Sequence, residues 1–298
     1  MRAGGLKLLA AALLFSGAAW AQETIRNDEN LASTRPEAWA MNYVVASTYM
    51  TAFGQVPELR PWQWLVAGEL GHVPRLSESD QRVGFEGTKQ EDLNRSPVFG
   101  RVRAHLGLPG GFVAELGYTP PVTIQDVKVR DLFALAIGRR VYEHDGLTVS
   151  LRGFAQHGRA SGDITCPARL AGNPDLNANP YGCRAASDDQ ATLNYYGGDA
   201  TASWNEQAWH IHATLGVVRT DLAVQVDALS FDVRDRSTLT AEATKAYLAV
   251  GASRDLTRCW NVGAELLYVP LRVQRDPAGG TSNDPFTGLR LRASFRFG

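Results

Sequence analysis

His210 and His212 stand two residues apart in a run that alternates with Trp209, Ile211 and Ala213. On an extended chain two such side chains leave the same face. A pair of imidazoles there can hold a metal or act as a general base. No serine-centred motif accompanies them, and no Cys/His spacing reads as a metal site. Arginines keep the same two-residue rhythm elsewhere, at Arg101 and Arg103 and again at Arg290, Arg292 and Arg296. Arg152, Glu115, Glu265 and Glu69 occupy comparable polar positions. Gathered on one surface, these groups make either a basic-lined passage favouring anionic solutes or a lattice of Arg–Glu pairs. Cys166 and Cys183 flank a stretch rich in Asn, Pro, Gly and Asp. A disulfide there contributes about 3 kcal/mol in the chain-entropy model. Cys259 is left over and reads as a buried small residue at the start of a strand, with a reactive thiol as the sharper alternative. The segment 84–97 is dense in Gly and charge. It reads as an ordinary loop, with a ligand-gripping loop as the sharper alternative.

The elements that would position these residues alternate with period two. Val98, Gly100, Val102, Ala104 and Leu106 oppose Phe99, Arg101, Arg103 and His105. Similar runs are 112–119, 147–156, 209–217, 260–268 and 289–297. Period two means strands with one apolar and one polar face. The strands 131–142, 191–203 and 241–253 are apolar on both faces or lose phase. Short connections at 108–111, 143–146, 205–207 and 254–258 alternate with long ones at 120–130, 158–190, 220–240 and 274–285.

The 30 Lys and Arg against 31 Asp and Glu leave no basic excess, so charge-driven nucleic-acid binding is not expected. An apolar fraction of 44% argues against disorder. Residues 1–21 read as a secretory signal peptide: Arg2 and Lys7, then the apolar run Leu8–Ala19, then small residues at Ala19 and Ala21. An N-terminal membrane anchor is the alternative.

Strands of about ten residues suit a tilted crossing of a bilayer, and many carry an aromatic at one end. Arg, Glu and His on their polar faces would suit a wet lumen better than a dry sandwich core. With the signal segment, the loop rhythm and the closing strand Leu289 to Phe297, the chain resembles bacterial outer-membrane β-barrel proteins over about residues 42–298. In that class the last strand usually ends on an aromatic; here Gly298 follows Phe297.

The resemblance implies an all-β transmembrane antiparallel barrel in the outer membrane of a Gram-negative cell. A polar lead segment, 22–41, would precede it. Nine strands lie between 97 and 297, and 42–53, 62–72 and 79–89 would bring the count to twelve. The alternative is ten strands, with only 62–72 added and a plug helix at 36–53. The partners implied are outer-membrane lipid, lipopolysaccharide and the barrel-assembly machinery; no cofactor is implied, and the oligomeric state stays open. The preferred function is a passive channel or porter for small solutes, lined by Arg101, Arg103, Glu115, Arg152, His210, His212, Glu265, Arg290, Arg292 and Arg296. A filled barrel presenting its surface loops, 158–190 above all, is the second reading. A barrel hydrolase using His210 and His212 is the third, and a soluble periplasmic β-sandwich the fourth.

Overall fold

Alternating stretches pair because each buries one face and satisfies its backbone through its neighbours. In the computed structural model, which describes residues 23–297, ten such strands close into one antiparallel barrel. In chain order they are β1 Trp64–His72, β2 Val98–Gly107, β3 Phe112–Thr119, β4 Val127–His144 and β5 Leu147–Gly162. β6 Asp189–Glu206, β7 Trp209–Gln225, β8 Thr238–Asp255, β9 Trp260–Val269 and β10 Phe286–Arg296 follow. Each strand pairs with the next, and β10 pairs with β1 from Arg290↔Gly71 to Arg296↔Leu65, so no edge remains. The expected signal peptide, 1–21, lies outside the described residues.

The count is ten rather than the expected twelve, and the first barrel strand begins at Trp64 rather than near residue 42. Residues 42–53 fall partly in a helix, α1 (Pro36–Ser47), and partly in the segment after it. Pro36 suits the first turn of that helix. Ten of its twelve residues are buried, so it has no solvent face to give a helical stripe in the sequence. Residues 79–89 supply only a short hairpin, Arg82–Gly84 with Lys89–Gln90, separate from the barrel sheet.

Short turns at 108–111, 145–146, 207–208 and 256–259 lie at one end of the barrel, and long connections at the other. Five consecutive strands, β4 to β8, run for 16 to 18 residues and carry the wall beyond the length a bilayer needs. The described chain starts at the long-loop end. Glu23–Ile25 pairs in parallel with Val233–Asp235, and Glu29–Asn30 with Leu239–Thr240. It then passes through α1 and arrives at β1, which begins at the short-turn end. The disulfide Cys166–Cys183 ties the longest connection between strands, and Cys183 also bridges to Ser230. Cys259 is exposed in a short turn, where no neighbouring element covers it, and is not the buried strand residue expected.

Along β7 the outward side chains Trp209, Ile211, Leu215 and Val217 are exposed and apolar, and the next outward pair is Arg219 and Asp221. From Trp209 to Val217 the strand covers about 26 Å at ~3.3 Å per residue. Trp64, Phe112, Trp204, Trp209 and Trp260 stand exposed near the short turns; Phe133, Tyr196 and Tyr268 stand exposed nearer the long loops. Apolar belts between aromatic girdles are the form a barrel takes in lipid.

The inward face is close-packed toward the long loops. Gly216 faces the ring of Tyr247 so closely that a Cβ there would lie 2.3 Å from it. Gly216→Val should therefore displace Tyr247 and lower stability by about 1–3 kcal/mol. The denaturant midpoint followed by tryptophan fluorescence checks this; an unchanged midpoint would mean the ring yields freely.

Candidate functional site

Inward-facing residues of β2, β4, β5, β6 and β10 meet around the chain that leaves α1. The last carbonyls of a helix have no partner inside it. Here Arg290 of β10 donates to Ala46 O at 3.2 Å, to Ser47 O at 3.1 Å and to Tyr49 O. Arg101 of β2 donates to Thr48 O at 2.8 Å and to Gln156. Arg103 reaches Thr51 O at 2.9 Å, and Arg152 of β5 reaches Met50 O. Tyr195 of β6 donates to Thr48 O and accepts from the Met50 amide, both at 2.8 Å. Farther along, Ser150 accepts from the Val56 amide at 3.1 Å, and Arg140 donates to Val56 O at 2.8 Å.

Behind these contacts lies a buried ion-pair network. Arg103 sits 2.8 Å from Glu69 and 3.0 Å from Glu115. Glu115 also binds Arg152 at 2.9 Å, and Arg152 binds Asp199 at 2.7 Å. Tyr247 donates to Asp199 at 2.7 Å. Arg290 lies 3.5 Å from Glu69. Arg101 has no carboxylate in salt-bridge range and is held by neutral oxygens alone. Arg292 lies over the Phe53 ring at 4.6 Å, and its Nε has no hydrogen-bond partner. The carbonyls from Ala46 to Thr51, the first two at the C-terminal end of α1, therefore answer positive charge that the carboxylates do not fully match.

The expected residues separate into two sets. Arg101, Arg103, Glu115, Arg152, His212, Glu265, Arg290 and Arg292 come together in the interior. His210 and Arg296 lie toward the short-turn rim, where His210 meets Asn205 at 2.8 Å and Asp255 at 3.0 Å. The two histidines thus share no partner. His212 contacts Glu265 at 3.3 Å, and Glu265 accepts from Thr51 at 2.5 Å. In nucleophilic catalysis the imidazole must touch the hydroxyl and the carboxylate must stand behind it. Here the carboxylate stands between them, and the His212 and Glu265 side chains are 0% exposed. Among the described residues no group of three or more His, Cys, Asp or Glu is placed to hold a metal ion.

Asp199, Tyr195, Tyr247 and Gln156 belong to this network and were not singled out in the sequence. Asp199 does keep phase with Thr201, Ser203 and Asn205, and that phase was the available signal.

No protein-family profile matches the chain, and no curated protein sequence matches it. Solved structures are similar to it. The translocator domain of the autotransporter NalP from Neisseria meningitidis matches 90% of this chain and 100% of its own, at 11% identity and a TM-score of 0.47. The outer membrane protease OmpT from Escherichia coli matches 79% of this chain and 94% of its own, at 9% identity and a TM-score of 0.40. The attachment invasion locus protein Ail of Yersinia pestis matches 80% and 100%, at 8% identity and a TM-score of 0.33. Each of these matches has a TM-score below 0.5, so the closed ten-strand antiparallel barrel stands on the strand pairing of this chain itself.

Glu115 is shared by Arg103 and Arg152, so its removal leaves two buried cations short of a partner. Glu115→Gln should cost about 3–5 kcal/mol, because an uncompensated buried charge remains. Equilibrium unfolding of the refolded protein in detergent tests this, and a loss below 1 kcal/mol would mean that the network does not stabilise the barrel.

Proposed function

We propose that this protein is an outer-membrane barrel closed by its own N-terminal segment, and that it works through the face it presents at the long-loop end rather than as an open pore. One observation carries the reading. Arg101, Arg103, Arg152 and Arg290, the residues that would line a basic channel, each donate to the backbone between Ala46 and Thr51. Guanidinium groups spent on a plug are not offered to passing anions. Above them Tyr43 of α1 meets Phe286 on the wall at 5.1 Å, and Tyr49, just past the helix, meets Tyr195 at 5.3 Å.

The long-loop end is built as a surface. Arg95 binds Asp92, Asp126 and Asp163, joining three connections. Arg275 binds Asp284 and Asp80 and covers the Trp39 ring. The disulfide holds the connection 163–188. A face cross-linked in this way suits contact with lipopolysaccharide or another partner at the cell surface.

In planar bilayers the full-length protein should be silent, whereas a variant lacking 23–59 should give steady conductance. Comparable conductance from both would overturn the plug. Orientation has its own test. Cys259 should resist a membrane-impermeant maleimide on intact cells and react after the outer membrane is opened. Thr24→Cys, in a Cys259→Ser background, should react on intact cells; protection there would place the N-terminal segment on the other side.

A further inference from the structure

A cavity of about 500 Å³ opens at the long-loop end between α1, the hairpin 82–90 and the upper wall of the barrel. That volume suits a small organic ligand. Its walls are mostly apolar and include Met41, Val44, Val83, Leu93 and Leu193. The polar groups among them are unevenly charged. Glu29, Glu37, Glu86, Glu91 and Asp235 face only Arg35 and Lys89. Both cations are already engaged. Arg35 pairs with Glu29 at 2.9 Å, Glu37 at 3.0 Å and Glu86 at 3.4 Å. Lys89 pairs with Glu91 at 3.0 Å and donates to Thr165 O at 2.6 Å. An ionised carboxylate only accepts, with about four lone-pair sites, so acceptor capacity remains in excess. Burial pushes the Glu91 carboxyl up to about 7, against the pull of Lys89. A second cation beside it would favour the ionised form.

The rim is strained. Phe85, Glu86 and Gly87 all have positive φ, at 47°, 59° and 89°. For a bulky residue such as Phe this backbone is costly, and such strain collects at ligand clamps. Phe85 is nonetheless exposed, lines the cavity and stacks at 6.0 Å on Tyr181. The segment 84–97, singled out in the sequence for its glycines and charge, supplies this rim.

We infer that the cavity is a binding site for a small amphiphile with a compact apolar body and a cationic amine head. The body occupies the apolar wall, and the ammonium donates to Glu91, whose one cation is Lys89; Glu37 is already taken by Arg35 and by the Glu86 amide at 2.7 Å. The site rests on the reading that this face is presented outward from a plugged barrel.

Three probes share one body and differ in head: 1-aminoadamantane, 1-adamantanol and adamantane-1-carboxylate. Each is titrated against the full-length protein in lipid nanodiscs, with empty nanodiscs as blank. The amine should bind at least tenfold tighter than the carboxylate, with the alcohol between them. Ala40→Trp and Ala191→Trp fill the cavity from opposite walls, and each should weaken amine binding at least tenfold while heat-modifiable mobility is kept. Glu91→Gln should erase most of the amine preference and leave adamantanol within about twofold. Equal or tighter binding of the carboxylate would overturn the inference, as would amine binding unchanged in both filled variants. Conductance by the full-length protein would overturn the plug and leave a positive binding result standing. A silent barrel that binds no probe would overturn the site alone.

Discussion

Four arginines hold the backbone that leaves α1, and the interior is organised around that grip. The end of a helix carries carbonyls with no partner and a partial negative charge. The inward faces of β2, β5 and β10 carry more guanidinium than nearby carboxylate can match. Each side lacks what the other has. A hydrogen bond to a charged group contributes about 1.5–3 kcal/mol net, so the set outweighs any single apolar contact of the helix. The aromatic packing nearer the long loops fixes the position of α1, and the arginine contacts fix where its chain ends.

Much of the wall could be read in the sequence. Strict alternation placed Arg101, Arg103, Arg152 and Arg290 on one face and Val102, Leu151, Leu289 and Leu291 on the other, and burial divides them in the same way. The alternation of short and long connections gave the hairpin order from Val98 onward. The N-terminal part was less legible for a physical reason. Period two identifies a strand only when its two faces meet different surroundings, and α1 meets a packed environment on nearly every side. Residues 79–89 have the right residue types but only a five-residue pairing to offer. Asp199 and Tyr247 escaped notice because β6 and β8 carry small and apolar residues on both faces around them.

The two ends of the molecule are made differently. At the short-turn end the chain reverses in two to four residues, and tryptophans with arginines mark the border, as where Arg254 lies 5.3 Å from the Trp209 ring. At the other end, Arg35, Arg95 and Arg275 each join segments far apart in sequence, so the connections are fastened to one another around α1. Charge is therefore used twice, to anchor a segment in the interior and to fasten the loops above it.

The path of the N-terminal segment also constrains how the chain can assemble. Residues 23–63 precede β1, yet strands on several sides of the wall grip them. The seam between β10 and β1 is the last pairing that synthesis makes available. Once it is zipped, the backbone from Ala46 to Val56 could reach its partners only by entering a closed ring, and drawing chain through a finished ring is a route that proteins avoid. An order in which this tail is in place while the sheet is still an open curl avoids that step. In that order the arginines close on a segment already present, and the seam is the step that commits the barrel.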